Sequence, residues 1–257
     1  MSKAILATFL AAVAVFSPVS VVCAQETDDG RDENYIAVGV GTLDQHTPFN
    51  AASTQTSLIP FVSIKQGAYY FEGAETGFRF DKELAGITPS LDLFVAARSP
   101  QGRDREKLSF DAGVRISLDT KLGKLSGELH HDLSDTFSGS EIIARYSYPV
   151  SIGRFTITPA VQASWLDRKA ADHMYGVTAA QRARMIRKER RVILPVAPIT
   201  DEALNLGGDL SMVVQLNERL TLIAVVGVTY LDKSIHRSAA IDQKWSAQSG
   251  LGVTYRF

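Results

Sequence analysis

The chain closes with Trp245-Ser246-Ala247-Gln248-Ser249-Gly250-Leu251-Gly252-Val253-Thr254-Tyr255-Arg256-Phe257, and this stretch decides the fold. Trp245, Ala247, Ser249, Leu251, Val253, Tyr255 and Phe257 share one face, while Ser246, Gln248, Gly250, Gly252, Thr254 and Arg256 share the other. A period of two is the repeat of an extended strand, whose successive side chains point to opposite sides. The register recurs upstream. Leu220, Leu222, Ala224, Val226, Val228 and Tyr230 alternate with Thr221, Ile223, Val225, Gly227 and Thr229. Over 204–216, Leu206, Leu210 and Met212 oppose Asn205, Asp209 and Ser211, and similar segments run over 108–118, 125–133, 140–148 and 155–165. Their polar faces carry Asp111, Arg115, Glu128, Asp132, Glu141 and Arg145.

Alternation also fits a secreted β-sandwich, and three features favour a barrel in a membrane. Strands of soluble proteins usually run about 5–6 residues, whereas several of these are long enough to cross a bilayer at a tilt of about 45°. Tyr146, Tyr148, Trp165, Tyr230, Tyr255 and Phe257 collect near segment ends on the apolar face, where interfacial girdles sit. The opposite face mixes both charge signs with Gly, Ser and Thr, as a lumen does. Composition agrees by exclusion. With 27 basic and 28 acidic residues the chain lacks the concentrated basic surface of a nucleic-acid binder. A single Cys leaves no disulfide framework or thiolate zinc cluster.

Two segments stand apart from the barrel. Lys3 followed by the apolar stretch 4–16, too short to span a bilayer, and Val22-Cys23-Ala24 read as a signal peptide over 1–24, cut before Gln25. A lipoprotein cut before Cys23 is the alternative, and Val22 is a poor residue for it. Residues 25–34 are acidic and read as a mobile tail. The expected fold over 35–257 is therefore all-β, an antiparallel up-and-down transmembrane β-barrel. About eleven segments are strand-like, and 67–81 is ambiguous because Gly73 interrupts the alternation. Single-chain bacterial barrels have even strand numbers, so twelve is expected, with ten as the alternative. Gly252, Tyr255 and the terminal Phe257 follow the glycine–aromatic–aromatic ending that barrels of Gram-negative outer membranes present to their assembly machinery.

The stretch Ser164-Trp165-Leu166-Asp167, then Met174-Tyr175-Gly176-Val177-Thr178 with Gln181, resembles the signature of the MipA/OmpV family of outer-membrane proteins. The motif residues are Trp165, Asp167, Tyr175, Gly176, Val177 and Gln181. Val38-Gly39-Val40-Gly41 and the final eight residues are also similar to it. Two stretches depart from the family pattern: 42–48 replaces its Gly-Ser-acid-rich first loop, and the loop after Gln181 is basic. The resemblance implies a non-catalytic outer-membrane protein of the cell envelope. The family's named member is a scaffold joining a lytic murein transglycosylase to a bifunctional peptidoglycan synthase, and other members are associated with adhesion or osmotic response. A narrow passive channel or an adhesin-like barrel is the alternative, since Arg79, Arg98, Asp111, Arg115, Glu141 and Arg145 would line a pore equally well.

Catalytic, cofactor and metal sites are not expected. His130-His131-Asp132 places His130 and Asp132 on the lumen face of one strand, where Asp132 could orient a base, yet no serine in a nucleophile context accompanies them. The His spacings of a metal site are absent. One feature outside the family pattern remains. Thr178-Ala179-Ala180-Gln181 reads as a capping box, followed by Arg182, Arg184, Arg187, Lys188, Arg190 and Arg191 against Glu189 alone. A short basic helix over 182–191, ended before Pro195 and lying in a long external loop at about 168–200, would suit lipopolysaccharide phosphates, which Arg binds bidentately.

Overall fold

The computed structural model describes residues 34–50, 54–98 and 108–257. The leader, the tail through Glu33 and residues 51–53 and 99–107 lie outside the described residues. The strands are β1 (Tyr35–His46), β2 (Gln55–Gln66), β3 (Tyr69–Glu72), β4 (Glu75–Asp81), β5 (Thr88–Arg98), β6 (Ser109–Thr120) and β7 (Gly123–Asp132). Then follow β8 (Ser140–Ser147), β9 (Val150–Ile152), β10 (Phe155–Leu166), β11 (Ala203–Gln215), β12 (Leu220–Tyr230) and β13 (Trp245–Arg256). Each pairs antiparallel with its neighbours, and β13 pairs with β1 from Ala37↔Arg256 to His46↔Ala247, which closes the wall. Proline at 149 separates β8 from β9, and both lie against β10, so together they make one crossing. The barrel has twelve crossings.

Following paired residues from Ala37 round the wall returns to β1 about 16 positions further on, a stagger that tilts the strands by about 45°. Leu91, Leu93 and Val95 of β5 face outward and exposed, while Asp92, Phe94 and Ala96 face inward and buried. An exposed apolar belt facing outward all round requires lipid as solvent. Tyr146, Tyr148, Tyr255 and Phe257 edge the belt at one end, and Tyr230 and Trp245 at the other.

The ambiguous stretch 67–81 is a hairpin. Gly67 and Gly73 both hold positive φ, at 57° and 59°, in tight turns on either side of the four-residue β3. Glycine adopts that backbone without the penalty a Cβ would carry. β3 is too short for alternation to show. Its last residue, Glu72, pairs with Ser63, so the hairpin stops partway up the wall. Strand limits elsewhere move by one or two residues from the sequence reading, and Thr42–His46, expected in the first loop, extends β1.

Short turns lie at the end of the barrel that carries Tyr35 and Arg256, and the connections at the other end are longer apart from the Gly73 turn of the β3–β4 hairpin. Since periplasmic turns are the short ones, Glu218 faces the periplasm and Ala239 the exterior; both are exposed. Ala239→Cys should label with an impermeant maleimide on whole cells, and Glu218→Cys should label only after the outer membrane is breached, in a chain whose one native cysteine is Cys23. Equal labelling would reject the orientation.

Candidate functional site

Ionisable side chains on the inward faces of β4 to β11 are tied into clusters that run along this side of the lumen. Arg98 donates to Asp111 at 2.9 Å and to Glu141, which also accepts from the Ser164 hydroxyl. Arg115 reaches Glu75 at 2.9 Å, Asp92 at 3.0 Å and Glu128 at 2.9 Å. Arg79 shares Asp92 at 3.1 Å, and the Tyr70 hydroxyl donates to Glu75 at 2.6 Å. Arg145 grips Asp209 through two nitrogens, at 2.7 and 2.8 Å, across the interior of β10. The Arg115 guanidinium lies 4.7 Å above the Phe94 ring. Sequence reasoning assigned Arg79, Arg98, Asp111, Arg115, Glu141 and Arg145 to the lumen, and all are there; their partners, from strands distant in the chain, were not legible. The paired, hydrogen-bonded arrangement compensates charges taken out of bulk water.

The His130–Asp132 arrangement does not form. Both residues face inward, but His130 Nε2 sits 3.3 Å from Glu128. Asp132 instead accepts from the backbone N–H groups of Ser134, Phe137 and Ser138, holding the loop after β7. The Ser–His contact that does occur is His131 Nδ1 with the Ser140 hydroxyl at 2.8 Å, on the outer face of the wall. Among the described residues no carboxylate hydrogen-bonds its other ring nitrogen, so it lacks the orienting member of a triad.

The outer mouth is covered by a folded lid. Helices α1 (Arg168–Tyr175) and α2 (Ala179–Arg187) follow β10, and the short α3 (Lys233–His236) follows β12. Leu166, Ala171, Met174, Leu231, Ile235 and Ile241 pack into one apolar core with them, reaching back to Phe49. Asp232 caps α3 by accepting from Ser234 N–H at 2.8 Å. Burial pushes its carboxyl up, but the Ser234 hydrogen bonds outweigh this and hold it below the usual range.

The motif residues fasten this lid. Asp167 caps α1, accepting from Ala170 N–H at 2.8 Å and from Ser140 N–H at 2.9 Å, which ties the helix to β8. Tyr175 is buried beside Asn205, and Gly176 lets the chain turn where a Cβ would meet the Asp172 carboxylate at 2.1 Å. Val177 bridges to Ala197 and is 1% exposed. Gln181 completes a capping box with Thr178, at 2.7 and 3.2 Å. Trp165 alone faces away, at the outer end of β10. The capping box was legible; α1 was not, although Asp167 before it and Gly176 after it are the signals that mark its ends. The basic helix is shorter than expected over 182–191: it ends at Arg187, and Glu189 takes φ 50°. Arg182, Arg187, Lys188 and Arg191 are exposed, whereas Arg184 and Arg190 are half-buried.

Residues 36–257 match the family described as "MltA-interacting protein MipA". The chain belongs to that family. Its relatives include the "Putative outer membrane protein YiaT" of Escherichia coli O157:H7, 22% identical over 86% of this chain and 91% of that one. The "MltA-interacting protein" of Escherichia coli K12 is also 22% identical, over 86% and 89% respectively. Among solved structures, the COG4313 outer membrane channel from Pseudomonas putida F1 matches 90% of this chain and all of its own, with a TM-score of 0.43 at 10% identity. OmpT of Vibrio cholerae aligns with 91% of this chain at a TM-score of 0.41 and 5% identity. This family member is an outer-membrane β-barrel.

Proposed function

We propose that the barrel is a non-catalytic scaffold of the cell envelope that holds a lytic murein transglycosylase, and through it a peptidoglycan synthase, at its periplasmic end. The observation that carries this reading is the packed lid over the outer mouth, with ion-paired arginines crowding the β4 to β11 side of the lumen beneath it. A barrel so covered is suited to presenting a surface rather than passing solutes. A relative bearing the name MltA-interacting protein supports the partner class. The test pairs planar-bilayer recording with co-purification from cross-linked envelopes. Electrical silence with recovery of a murein transglycosylase is the expected result. Stable stepwise conductance without that enzyme would favour the narrow channel instead.

Two further roles rest on named residues. Tyr255 and Phe257 lie outward at the end of β13 and serve as the assembly signal; Gly252 faces the lumen opposite Gly41, so its part in that signal is separate from the aromatic face. In this reading the exposed cations of the α2 segment contact lipopolysaccharide phosphates. Arg182, Arg187, Lys188 and Arg191 changed together to Gln should weaken binding to purified lipopolysaccharide and flatten its salt dependence, because exposed charge contacts are screened. Unchanged affinity and salt slope in the quadruple variant would leave these residues a solvated face.

A further inference from the structure

Among the described residues, the hairpin β3–β4 stops short of the outer end of β2. β2 pairs with β3 only from Ser63 to Gln66, so its outer stretch 55–62 has no strand on that side among the described residues. Gly73 N–H donates to the Val62 carbonyl at 3.0 Å, which fixes Val62 as a residue whose backbone groups face β3. By alternation Pro60, Leu58 and Thr56 direct their backbone groups to the same open side. An open sheet edge facing hydrocarbon is costly. Proline at 60 lessens the cost by removing a donor there, the usual place for proline in an edge strand. Leu58, 70% exposed, points into the lipid beside the gap.

Immediately inside lies an apolar stretch of the lumen lining. Gly41 of β1 pairs with Gly252 of β13, and Leu43 with Gly250, so three inward positions on two adjacent strands bear no side chain. Ile59 and Phe61 of β2 flank this trough on one side and Ile223 and Val225 of β12 on the other, and the space of about 490 Å³ between them is open to the lumen. No charged side chain lines it. Its length along the strands is roughly 15 Å at about 3.3 Å per residue. The Phe61 ring stands at the gap, 3.6 Å from where a Cβ on Gly73 would sit.

We propose that the trough binds the single acyl chain of a long-chain fatty acid, admitted from the membrane through the gap above β3–β4. The lining is apolar, whereas the inward faces of β4 to β11 carry ion-paired charges, so the site selects hydrocarbon. It is long and one strand pair wide, which suits one unbranched chain rather than a ring system or the two chains of a phospholipid. Strand addition by a second copy of the chain is disfavoured, since Pro60 offers no N–H on the open edge. The route is lateral and leaves the lid shut, so it stands independently of the murein reading.

The test uses the refolded full chain in phosphatidylcholine vesicles with a palmitate carrying a photoreactive diazirine on its chain. Adducts are expected on peptides holding Ile59, Phe61, Ile223 or Val225, and excess unlabelled palmitate should abolish them. Val225→Trp, which fills the trough, should lower that labelling about tenfold while keeping heat-modifiable migration on gels. If this variant does not fold, the adduct map of the unaltered chain decides alone. Adducts confined to outward residues such as Leu58 and Leu251 would overturn the proposal. So would equal labelling of the trough by a diazirine phosphatidylcholine. A photo-crosslinker at Leu58 that captures a second barrel would instead make the gap an interface.

Discussion

Removing Phe257 should leave little of the protein in the outer membrane of growing cells, while the same truncated chain still folds into lipid vesicles in vitro. Phe257 is 74% exposed, and within the barrel it contributes one backbone bond, its N–H to the Ile36 carbonyl at 2.9 Å, and an edge contact with Tyr255 at 5.1 Å. One terminal hydrogen bond is worth about 0.5–1.5 kcal/mol, too little to unfold a closed barrel. Tyr255→Lys makes the same point, since a lysine near the membrane interface costs only about 0–1 kcal/mol. A large defect in cells with intact folding in vitro therefore isolates recognition from stability. The readout is heat-modifiable migration from outer-membrane fractions alongside the refolding assay. Normal cellular assembly of the truncated chain would remove the signal from these residues.

The second large effect concerns the lumen. Arg98→Leu should destabilise the barrel by about 3–5 kcal/mol, the cost of leaving buried charges without their partner. Asp111 is 0% exposed and Glu141 is 2% exposed, and both depend on this guanidinium. Arg98→Lys should recover only part, because an ammonium cannot match the planar fork that reaches two carboxylates on different strands. Reversible urea unfolding in lipid, followed by tryptophan fluorescence, measures both variants. A loss below about 1 kcal/mol for Arg98→Leu would mean that water screens the site and that it behaves as a surface pair.

The wall was legible because lipid imposes period two on every crossing it can see. From Trp245 to Phe257 the apolar set reads as a strand, and its length and aromatic ends favour a membrane barrel over a sandwich. β3 was not legible, since four residues between two glycine turns carry too little pattern to separate a strand from a loop. The lumen was half legible. The outward set fixes which residues turn inward, Arg98 and Glu141 among them, but their contact depends on a register accumulated over several strands. In the lid the capping box of Thr178 and Gln181 announced α2, whereas α1 hid behind a motif that resembled a family signature. Asp167, Tyr175, Gly176 and Val177 turn out to cap, fill and bend that lid, so the signature records a local fold. His130 and Asp132 mislead for a related reason: sharing a face two residues apart does not make two side chains partners.

The meeting of the first and last strands sets the order of events in folding. Every other seam joins neighbours in the chain, whereas β1 must wait for β13, whose residues arrive last. Closing so long a loop carries the largest entropic penalty of any pairing here. The β1–β13 edge should therefore be the final one to zip during maturation. Cysteines at the facing positions Gln45 and Gln248 should become linkable only after pairs placed across neighbouring strands such as β5 and β6. Until that moment the nascent sheet has two free borders, and a chaperone or the assembly machinery has to keep them apart from other chains.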